Sequence, residues 1–273
     1  MLVSAVIPTF NRRALVCQAV ASVLAQRGPA FETIVVDDGS TDDTAAALEQ
    51  EFGARIRVVS AEHRGVAAAR NLGVSSSCGE LIAFLDSDDL WLSGKLATQV
   101  AFFHEHPEAE ICQTEEIWVR NGRRVNPCAH HRKPRGDIFE ASLHLCLVSP
   151  SAVMLRRGLF ERVGGFDEHL PACEDYDLWL RIALGTPVWL VEQPLVIKRG
   201  GHADQLSRQF WGMDRYRVVS LLGLLAAREL SDARRRATLS VLQEKCAILA
   251  RGAARRGRLE EAERYYRIAH AYV

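Results

Sequence analysis

The 273-residue sequence lacks the patterns that are typical of disulfide-rich, zinc-binding, membrane-spanning and secreted proteins. Its seven cysteines are odd in number and form no Cys-x-x-Cys pair, which argues against a disulfide framework and a structural zinc site. The longest uncharged stretches, 14–26 and 141–155, are shorter than the roughly 18 residues that span a bilayer. The apolar N-terminal run has no basic leader, so no signal peptide is expected. These absences predict a soluble, cytoplasmic protein with reduced thiols.

The sequence also lacks net charge, since 34 Lys and Arg balance 34 Asp and Glu. A neutral chain is not a basic nucleic-acid binder as a whole, and no nucleic-acid partner is expected. The charges are unevenly placed, however. Residues 1–118 carry 8 basic and 17 acidic side chains, residues 119–204 carry 12 and 10, and residues 205–273 carry 14 and 7. Recognition of a partner is therefore expected at local sites.

Short apolar runs alternate with helical patterns in the first third of the sequence. The runs are dense in Val, Ile and Leu, as expected of strands that are covered on both faces. Strands that alternate with helices form right-handed βαβ units, so we expect an α/β fold with a Rossmann-like, mostly parallel sheet flanked by helices. The predicted strands are 2–8, 33–38, 56–60 and 80–86, and the predicted helices are 13–26, 42–52 and 65–76.

After Leu90 the alternation changes, and beyond Gly201 only helices are predicted. This change divides the chain into an α/β region, 1–204, and a C-terminal helical extension, 205–273. The last two helices resemble a tetratricopeptide-like hairpin, with Leu249, Ala250, Ala262, Tyr266 and Ala269 as its packing residues. The predicted elements are helices at 93–105, 157–163, 175–184, 205–229, 232–256 and 259–271, strands at 110–119, 151–155 and 188–198, a hairpin turn at 120–123 and a loop at 123–136.

Two groups of carboxylates follow predicted strands. Asp37 and Asp38 end one strand at a position where parallel-sheet folds bind ligands, and a carboxylate there can accept hydrogen bonds from a base or a ribose. Asp86, Asp88 and Asp89 follow another buried strand within four positions. Clustered carboxylates repel one another, and a divalent cation relieves that repulsion. A solvated acidic turn before the next helix is the alternative interpretation of the second group.

Six sequence elements occur together in the order found in the family-two glycosyltransferases with the A-type nucleotide-diphospho-sugar fold. The chain resembles that family over about residues 1–204. In order, the elements are VIPTFNR (6–12), VVDDGSTDDT (35–44), GVAAARNLG (65–73), FLDSDDLW (84–91), GGFDE (164–168) and CEDYDLWLR (173–181).

The resemblance implies a role for each matching residue at the nucleotide. Pro8, Thr9 and Phe10 are expected to line the nucleobase pocket, and Asp38 is expected to contact the edge of the base. Arg70 is expected to flank the base or the diphosphate. The nucleotide-binding residues are completed by Asp86, which the family places close to the ribose and the metal.

Asp86 and Asp88 match the DXD element of the family, so the resemblance implies Mn²⁺ or Mg²⁺ as cofactor, with Asp88 as the main metal ligand and Asp86 beside it. His202, in the segment after the last predicted strand, is either a third metal ligand or an ordinary loop histidine. The family often has a flexible C-terminal lid in this region.

Asp175 begins a predicted helix together with Glu174 and Asp177. Such acidic residues commonly face the positive end of the helix dipole and have no further role. The resemblance instead implies that Asp175 is the general base, which deprotonates an acceptor hydroxyl for an inverting displacement at the anomeric carbon.

The resemblance therefore predicts an enzyme that moves a sugar from a nucleotide-diphospho-sugar, often a UDP-sugar, to a saccharide, lipid-linked or protein acceptor. Two alternatives stay open: a nucleotidyltransferase, and a catalytically silent module that binds nucleotide sugars. The Arg-rich face of the C-terminal helices is either a solvated surface, a contact with the inner face of a membrane or with a polyanionic acceptor, or the interface of a homo-oligomer.

Overall fold

The computed structural model describes residues 1–126, 133–201, 210–227 and 230–271. Within these ranges nine strands form one sheet, and helices cover both of its faces. The strands are β1 Val3–Thr9, β2 Phe31–Asp37, β3 Arg57–Ser60, β4 Leu81–Phe84, β5 Leu90–Trp91, β6 Ile111–Arg120, β7 Arg123–Val125, β8 Val153–Arg156 and β9 Trp189–Gly200. The helices are α1 Arg13–Leu24, α2 Thr44–Phe52, α3 Val66–Ser75, α4 Lys95–Glu105, α5 Phe139–His144, α6 Arg157–Val163, α7 Glu174–Ala183, α8 Asp214–Ala227, α9 Asp232–Arg255 and α10 Leu259–His270.

The first four strands of the described chain form the parallel half of the sheet, in the order β3-β2-β1-β4. Every residue of β1 and β4 is buried, which explains why both strands read as continuous apolar runs. β8 pairs antiparallel with β4 and with β6, and β6 runs parallel to β9. The predicted α/β sheet with helices on its faces and a C-terminal helical extension is confirmed.

Most predicted elements lie within a few residues of their expected bounds, and three elements were not predicted. β5 has two residues, too few for a periodic signal, and α5 has six. β7 lies in the basic stretch that was predicted as a loop, where it pairs with β6 across a turn with positive φ at Asn121 and Gly122. The predicted helix 205–229 begins only at Asp214 in the described chain.

The C-terminal helices share a hydrophobic core with the sheet. One cluster of buried side chains runs from Val6 and Phe84 through Trp179 to Leu242 and Tyr265. Tyr265 packs in this core, whereas Tyr266, the predicted packing residue, is exposed. The division of the chain at 204/205 stays a prediction. None of the described helices has the length and the apolar character that a bilayer crossing requires.

Lys95, in the first turn of α4, is fully buried. Its Nζ donates to Gln99 Oε1 at 2.7 Å and lies 4.2 Å from the centroid of the Trp91 ring. Burial disfavours the charged amine and lowers the pKa of Lys95 to about 7. In the unfolded chain the same amine titrates near 10.5. The buried charge is therefore a cost to folding at neutral pH and below.

Replacing Lys95 by Met is expected to raise the melting temperature at pH 6 by about 4 °C, because the buried charge disappears. Between pH 7 and 10.5 the unfolded state of the wild type binds more protons than the folded state, so wild-type stability rises with pH. The advantage of the variant should shrink over that window. Thermal unfolding of both proteins at pH 6, 8 and 10 measures the difference in melting temperature. A difference that does not change with pH would contradict the lowered pKa of Lys95.

Candidate active site

A cleft of about 1110 Å³ opens at the carboxyl ends of β1, β2 and β4. The edge formed by such strand ends is where open α/β sheets bind ligands. The first turn of α7 and the residues just before α8 complete the wall. The cleft brings together every predicted site residue of the described chain, namely Pro8, Thr9, Phe10, Asp38, Arg70, Asp86, Asp88 and Asp175. His202 lies outside the described residues.

The residue after β2 fixes the loop that precedes α3. Both carboxylate oxygens of buried Asp38 accept backbone N–H bonds, from Arg64 and Gly65, each at 2.9 Å. Nδ1 of His63 lies 2.8 Å from the same carboxylate, and the His63 ring stacks on Phe10 with centroids 3.9 Å apart. Asp38 thus holds a stacked aromatic pair at the cleft wall. Aromatic faces of this kind suit a planar base, and direct contact between Asp38 and a base stays a prediction.

Thr9 ends β1 beside this pair, opposite Asp37 in the parallel register. Its Oγ1 is buried and has no hydrogen-bond partner in the described part of the chain. An unpaired buried hydroxyl costs about 1–3 kcal/mol. Because Thr9 and the buried Pro8 line the cleft, a bound ligand can supply the missing partner.

Arg70 joins the end of β4 to the start of α7. Its Nη2 donates to Asp86 Oδ1 and its Nη1 donates to Glu174 Oε1, both at 2.7 Å. The guanidinium also lies 5.1 Å from the centroid of the Phe166 ring. Burial works against the charge of Arg70, but the two carboxylates prevail and raise its pKa. Arg70 is therefore a permanent positive charge between two acidic segments.

The acidic turn after β4 divides into an inner and an outer part. Asp89 is 1% exposed and accepts hydrogen bonds from Ser151 Oγ at 2.6 Å, Lys198 Nζ at 3.1 Å and the backbone of Arg199 at 2.8 Å. Burial raises the pKa of Asp89 to about 6 despite the charge of Lys198. Asp89 therefore anchors the turn to β9 and lies deeper than its neighbours Asp86 and Asp88, although all three line the cleft.

Cationic side chains compensate the outer carboxylates. Asp88 Oδ2 lies 3.1 Å from Arg12 Nη1, and Asp86 Oδ2 lies 3.6 Å from Lys198 Nζ. Burial opposes ionisation of Asp86, but Arg70, Lys198 and Arg12 together lower its pKa. The charge of Asp89, followed by those of Asp86, Glu116 and Asp88, holds the pKa of Lys198 well above its usual range, against the effect of burial. Both signs of charge therefore alternate across this end of the cleft.

The oxygen ligands at this turn fit Mn²⁺ or Mg²⁺. Asp86 and Asp88 offer carboxylates, and proteins commonly hold Mg²⁺ with one or two carboxylates together with substrate phosphates. Across the described ranges no group of three or more His, Cys, Asp or Glu side chains is placed to hold a metal. An ion at this turn would therefore need further oxygen ligands, which the diphosphate of a nucleotide can provide.

Asp175 lies in the first turn of α7, which follows a left-handed residue, Cys173, at φ +63°. Its Oδ1 accepts the backbone N–H of Tyr176 at 2.7 Å, and its Oδ2 accepts a weak bond from Cys146 Sγ at 3.5 Å. Burial, and then the nearby charge of Asp175, raise the pKa of Glu174 to about 7, although Arg70 opposes this shift. The Asp175 carboxylate is thus oriented and half-buried at the cleft, and its role as general base stays a prediction.

The family model for glycosyl transferase family 2 matches residues 4–164, more than half of the chain. The chain belongs to glycosyl transferase family 2. A second model, glycosyltransferase like family 2, matches residues 128–228. The resemblance found in the sequence motifs is therefore confirmed.

Relatives and solved structures agree with this family. An Escherichia coli protein named UDP-Glc:alpha-D-GlcNAc-diphosphoundecaprenol beta-1,3-glucosyltransferase is 31% identical over 182 residues, which cover 66% of this chain and 69% of that protein. The first curated relatives are longer, and the chain spans 26% to 32% of their length.

Two solved structures share the fold at 19% identity. The structure of S. aureus TarS 1-349 in complex with UDP-GlcNAc has a TM-score of 0.69 and covers 100% of this chain and 91% of that one. A mannosyltransferase of Pyrobaculum calidifontis in complex with GDP-Man and Mn²⁺ has a TM-score of 0.65 and covers 98% and 86%. The likeness confirms the expected A-type glycosyltransferase fold.

Within the family-2 site, several functional contacts were not predicted from the sequence. Lys198 and Arg12 compensate the acidic turn, His63 stacks on Phe10, and Cys146 contacts Asp175. The basic pair Lys198-Arg199 at the end of a predicted strand was an available signal for the first of these contacts. The others depend on loops whose course no local pattern specifies.

Replacing Arg70 by Met is expected to lower the free energy of unfolding by about 3–5 kcal/mol, because it leaves buried Glu174 without its cation. Adding Glu174→Gln to that variant should restore part of the loss, since the uncompensated carboxylate is then gone. Urea denaturation of both single variants and the double variant measures the coupling. Arg123→Met, in the exposed hairpin, is the control and should change stability little. Strictly additive losses would contradict the bridge.

Proposed function

We propose that this chain is a metal-dependent, inverting glycosyltransferase, which moves a sugar from a nucleotide-diphospho-sugar, most simply a UDP-sugar, to an acceptor hydroxyl. One observation carries the proposal. The acidic turn at Asp86 and the base candidate Asp175 line one cleft and are joined by the bridge of Arg70 and Glu174. Donor and acceptor machinery are therefore held in fixed relation.

The nucleobase and the ribose of the donor occupy different parts of the cleft in this proposal. The nucleobase lies against Phe10 and His63, near Asp38, and the ribose lies towards Asp86. TarS and the mannosyltransferase were solved with a UDP-sugar and a GDP-sugar, which supports a nucleotide sugar as donor. The nucleobase itself is assigned here from the family resemblance alone.

Positive charge at the acidic turn serves the departing diphosphate. When the bond between the anomeric carbon and the diphosphate breaks, new negative charge develops on the phosphate oxygens. Arg12 and Lys198 already lie at 3.1–3.6 Å from the carboxylates of Asp88 and Asp86, and both side chains line the cleft. A Mn²⁺ or Mg²⁺ ion held by Asp88 and Asp86 would add Lewis-acid stabilisation of the same charge. His202, outside the described residues, is proposed as a further ligand.

Asp175 activates the nucleophile, which is the oxygen of the acceptor hydroxyl. Its carboxylate accepts the proton of the acceptor hydroxyl while that oxygen attacks the anomeric carbon from the face opposite the diphosphate. The backbone N–H of Tyr176 and the thiol of Cys146 hold the carboxylate in orientation. A single displacement of this kind inverts the configuration at the anomeric carbon.

Replacing Asp175 by Asn is expected to reduce transfer by at least about 100-fold, because the general base is lost, while binding of UDP stays unchanged. Asp177→Asn is the matched control on the same helix. Asp177 pairs with Arg181 at 2.7 Å and does not line the cleft, so its variant should keep most of the activity. Transfer of radiolabelled sugar and calorimetric binding of UDP measure both effects. Undiminished transfer by Asp175→Asn would exclude it as the base.

Chelation of divalent metal by EDTA is expected to abolish transfer, and added Mn²⁺ should restore it. Asp88→Asn should raise the Mn²⁺ concentration needed for half-maximal activity by about tenfold or more, since one carboxylate ligand is lost. Asp232→Asn, at the distant start of α9, should behave as the wild type. Full activity in EDTA would disprove metal dependence.

Nucleotide-sugar binding without transfer to any acceptor would instead favour the alternative of a catalytically silent module.

The acceptor is proposed to be a saccharide, free or linked to a lipid or a protein. The E. coli relative is named for a diphosphoundecaprenol-linked acceptor, which supports work at the cytoplasmic face of a membrane. Residues 1–204 are proposed as the catalytic domain that binds the nucleotide sugar and the acceptor, with 205–273 as a C-terminal helical region. Contact of the C-terminal helices with a membrane or with a second copy of the chain belongs to the same proposal.

A further inference from the structure

Three arginines surround one exposed tryptophan just outside the cleft. The guanidinium carbon of Arg215 lies 4.0 Å from the centroid of the Trp211 ring, and those of Arg256 and Arg258 lie at 5.3 Å and 5.2 Å. Trp211 is 46% exposed. The three arginines come from α8 and from the turn between α9 and α10, so the fold assembles the group from separate elements. These four residues are called the Trp211 cluster.

The positive charge of the Trp211 cluster is poorly compensated. Arg258 Nη1 lies 3.5 Å from Glu261 Oε2, and Arg215 donates to the carbonyl of Trp211 at 3.0 Å. Among the residues that the structure describes, no carboxylate lies within 4.0 Å of Arg215 or Arg256. Like charges gathered on one ring repel one another unless an anion joins them. Cation–π contact with the indole offsets part of that repulsion and holds the guanidinium groups at the surface.

The Trp211 cluster adjoins the acceptor side of the cleft. Phe210 and Met213, on either side of Trp211 in the sequence, both line the cleft. The carbonyl of Met213 accepts a hydrogen bond from Cys173 Sγ at 3.7 Å, and Cys173 precedes the first turn of α7, which carries Asp175. The segment that carries Trp211 is therefore in contact with the start of α7, so an acceptor held at Asp175 can extend towards the cluster.

We propose that the Trp211 cluster binds the phosphate or diphosphate group that links the acceptor sugar to a lipid carrier. Guanidinium groups match phosphate oxygens in charge and in the geometry of their paired N–H donors. Leu259, next to Arg258 and 71% exposed, offers an apolar surface for the start of the lipid. The inference rests on the proposed function and narrows its acceptor to a phosphate-linked saccharide.

The Trp211 cluster is distinct from the site of the donor diphosphate. The donor site already has its own cations, Arg12 and Lys198, at the acidic turn. The second anion site belongs instead to the side of the cleft where Asp175 meets the acceptor. Two separate groups of cations would thus allow one cleft to hold two phosphate-bearing substrates at once.

Binding of farnesyl diphosphate tests the cluster directly. The 273-residue chain is first saturated with UDP and Mg²⁺ so that the donor site is filled, and farnesyl diphosphate is then titrated with calorimetric detection. The double variant Arg256→Gln/Arg258→Gln should bind the probe about tenfold or more weakly than the wild type, because two charge-assisted contacts are lost. The control Arg235→Gln/Arg236→Gln removes two exposed arginines of α9 outside the cluster and should leave the affinity unchanged. Farnesol, which lacks phosphate, should bind weakly to all three proteins.

Equal affinity of wild type and cluster variant for farnesyl diphosphate would overturn the proposal. So would a cluster variant that loses sedimentation with phosphatidylglycerol vesicles while it keeps its affinity for farnesyl diphosphate, since the cluster would then bind phospholipid headgroups. Calorimetric binding of UDP to the same proteins reports separately on the donor site. If the wild type binds farnesyl diphosphate through the cluster but transfers no sugar, the proposed function is contradicted. The Trp211 cluster is still supported as a binding site for phosphate in that case.

Discussion

The ion-pair bridge from Glu174 through Arg70 to Asp86 determines how the rest of the site is arranged. A buried guanidinium without its carboxylates, or a buried carboxylate without its guanidinium, is among the largest penalties a fold can carry. Here the two bonds of 2.7 Å connect α7, α3 and the end of β4. The distance between the acidic turn and the base candidate is thereby fixed by the same interaction that stabilises the core beneath them.

Around this bridge, the charges of the acidic turn are compensated by cations within the site itself. Arg12, Arg70 and Lys198 lie among Asp86, Asp88 and Asp89, so that the acidic turn is stable without a ligand. At the other side of the cleft the Trp211 cluster has the opposite balance, with positive charge in excess. The overall neutrality of the chain conceals both arrangements, because an acidic N-terminal region and a basic C-terminal region cancel in the sum.

The alternation of apolar runs and helical patterns was sufficient to predict the parallel half of the sheet, because β1 and β4 are buried on both faces and read without ambiguity. The acidic strand ends likewise indicated one edge of that sheet. The position of Lys198 at a strand end was visible in the sequence, but its partner Asp89 was not, since this contact spans more than a hundred residues. Tyr265 and Tyr266 show a second limit: adjacent aromatic residues on a helix fit either face until the partner surface is known.

The continuous core that links the sheet to α9 and α10 has a consequence for synthesis of the chain on the ribosome. Val6 and Tyr265 belong to one cluster of buried side chains although they lie far apart in the sequence. Contacts of such long sequence separation form slowly, and the surfaces of α5 and α8 that pack against α9 stay uncovered until that helix emerges. The nascent chain is therefore most prone to aggregation before α9 leaves the ribosome. At that stage the acidic region 1–118 is complete, but the basic C-terminal helices have not yet packed against the core.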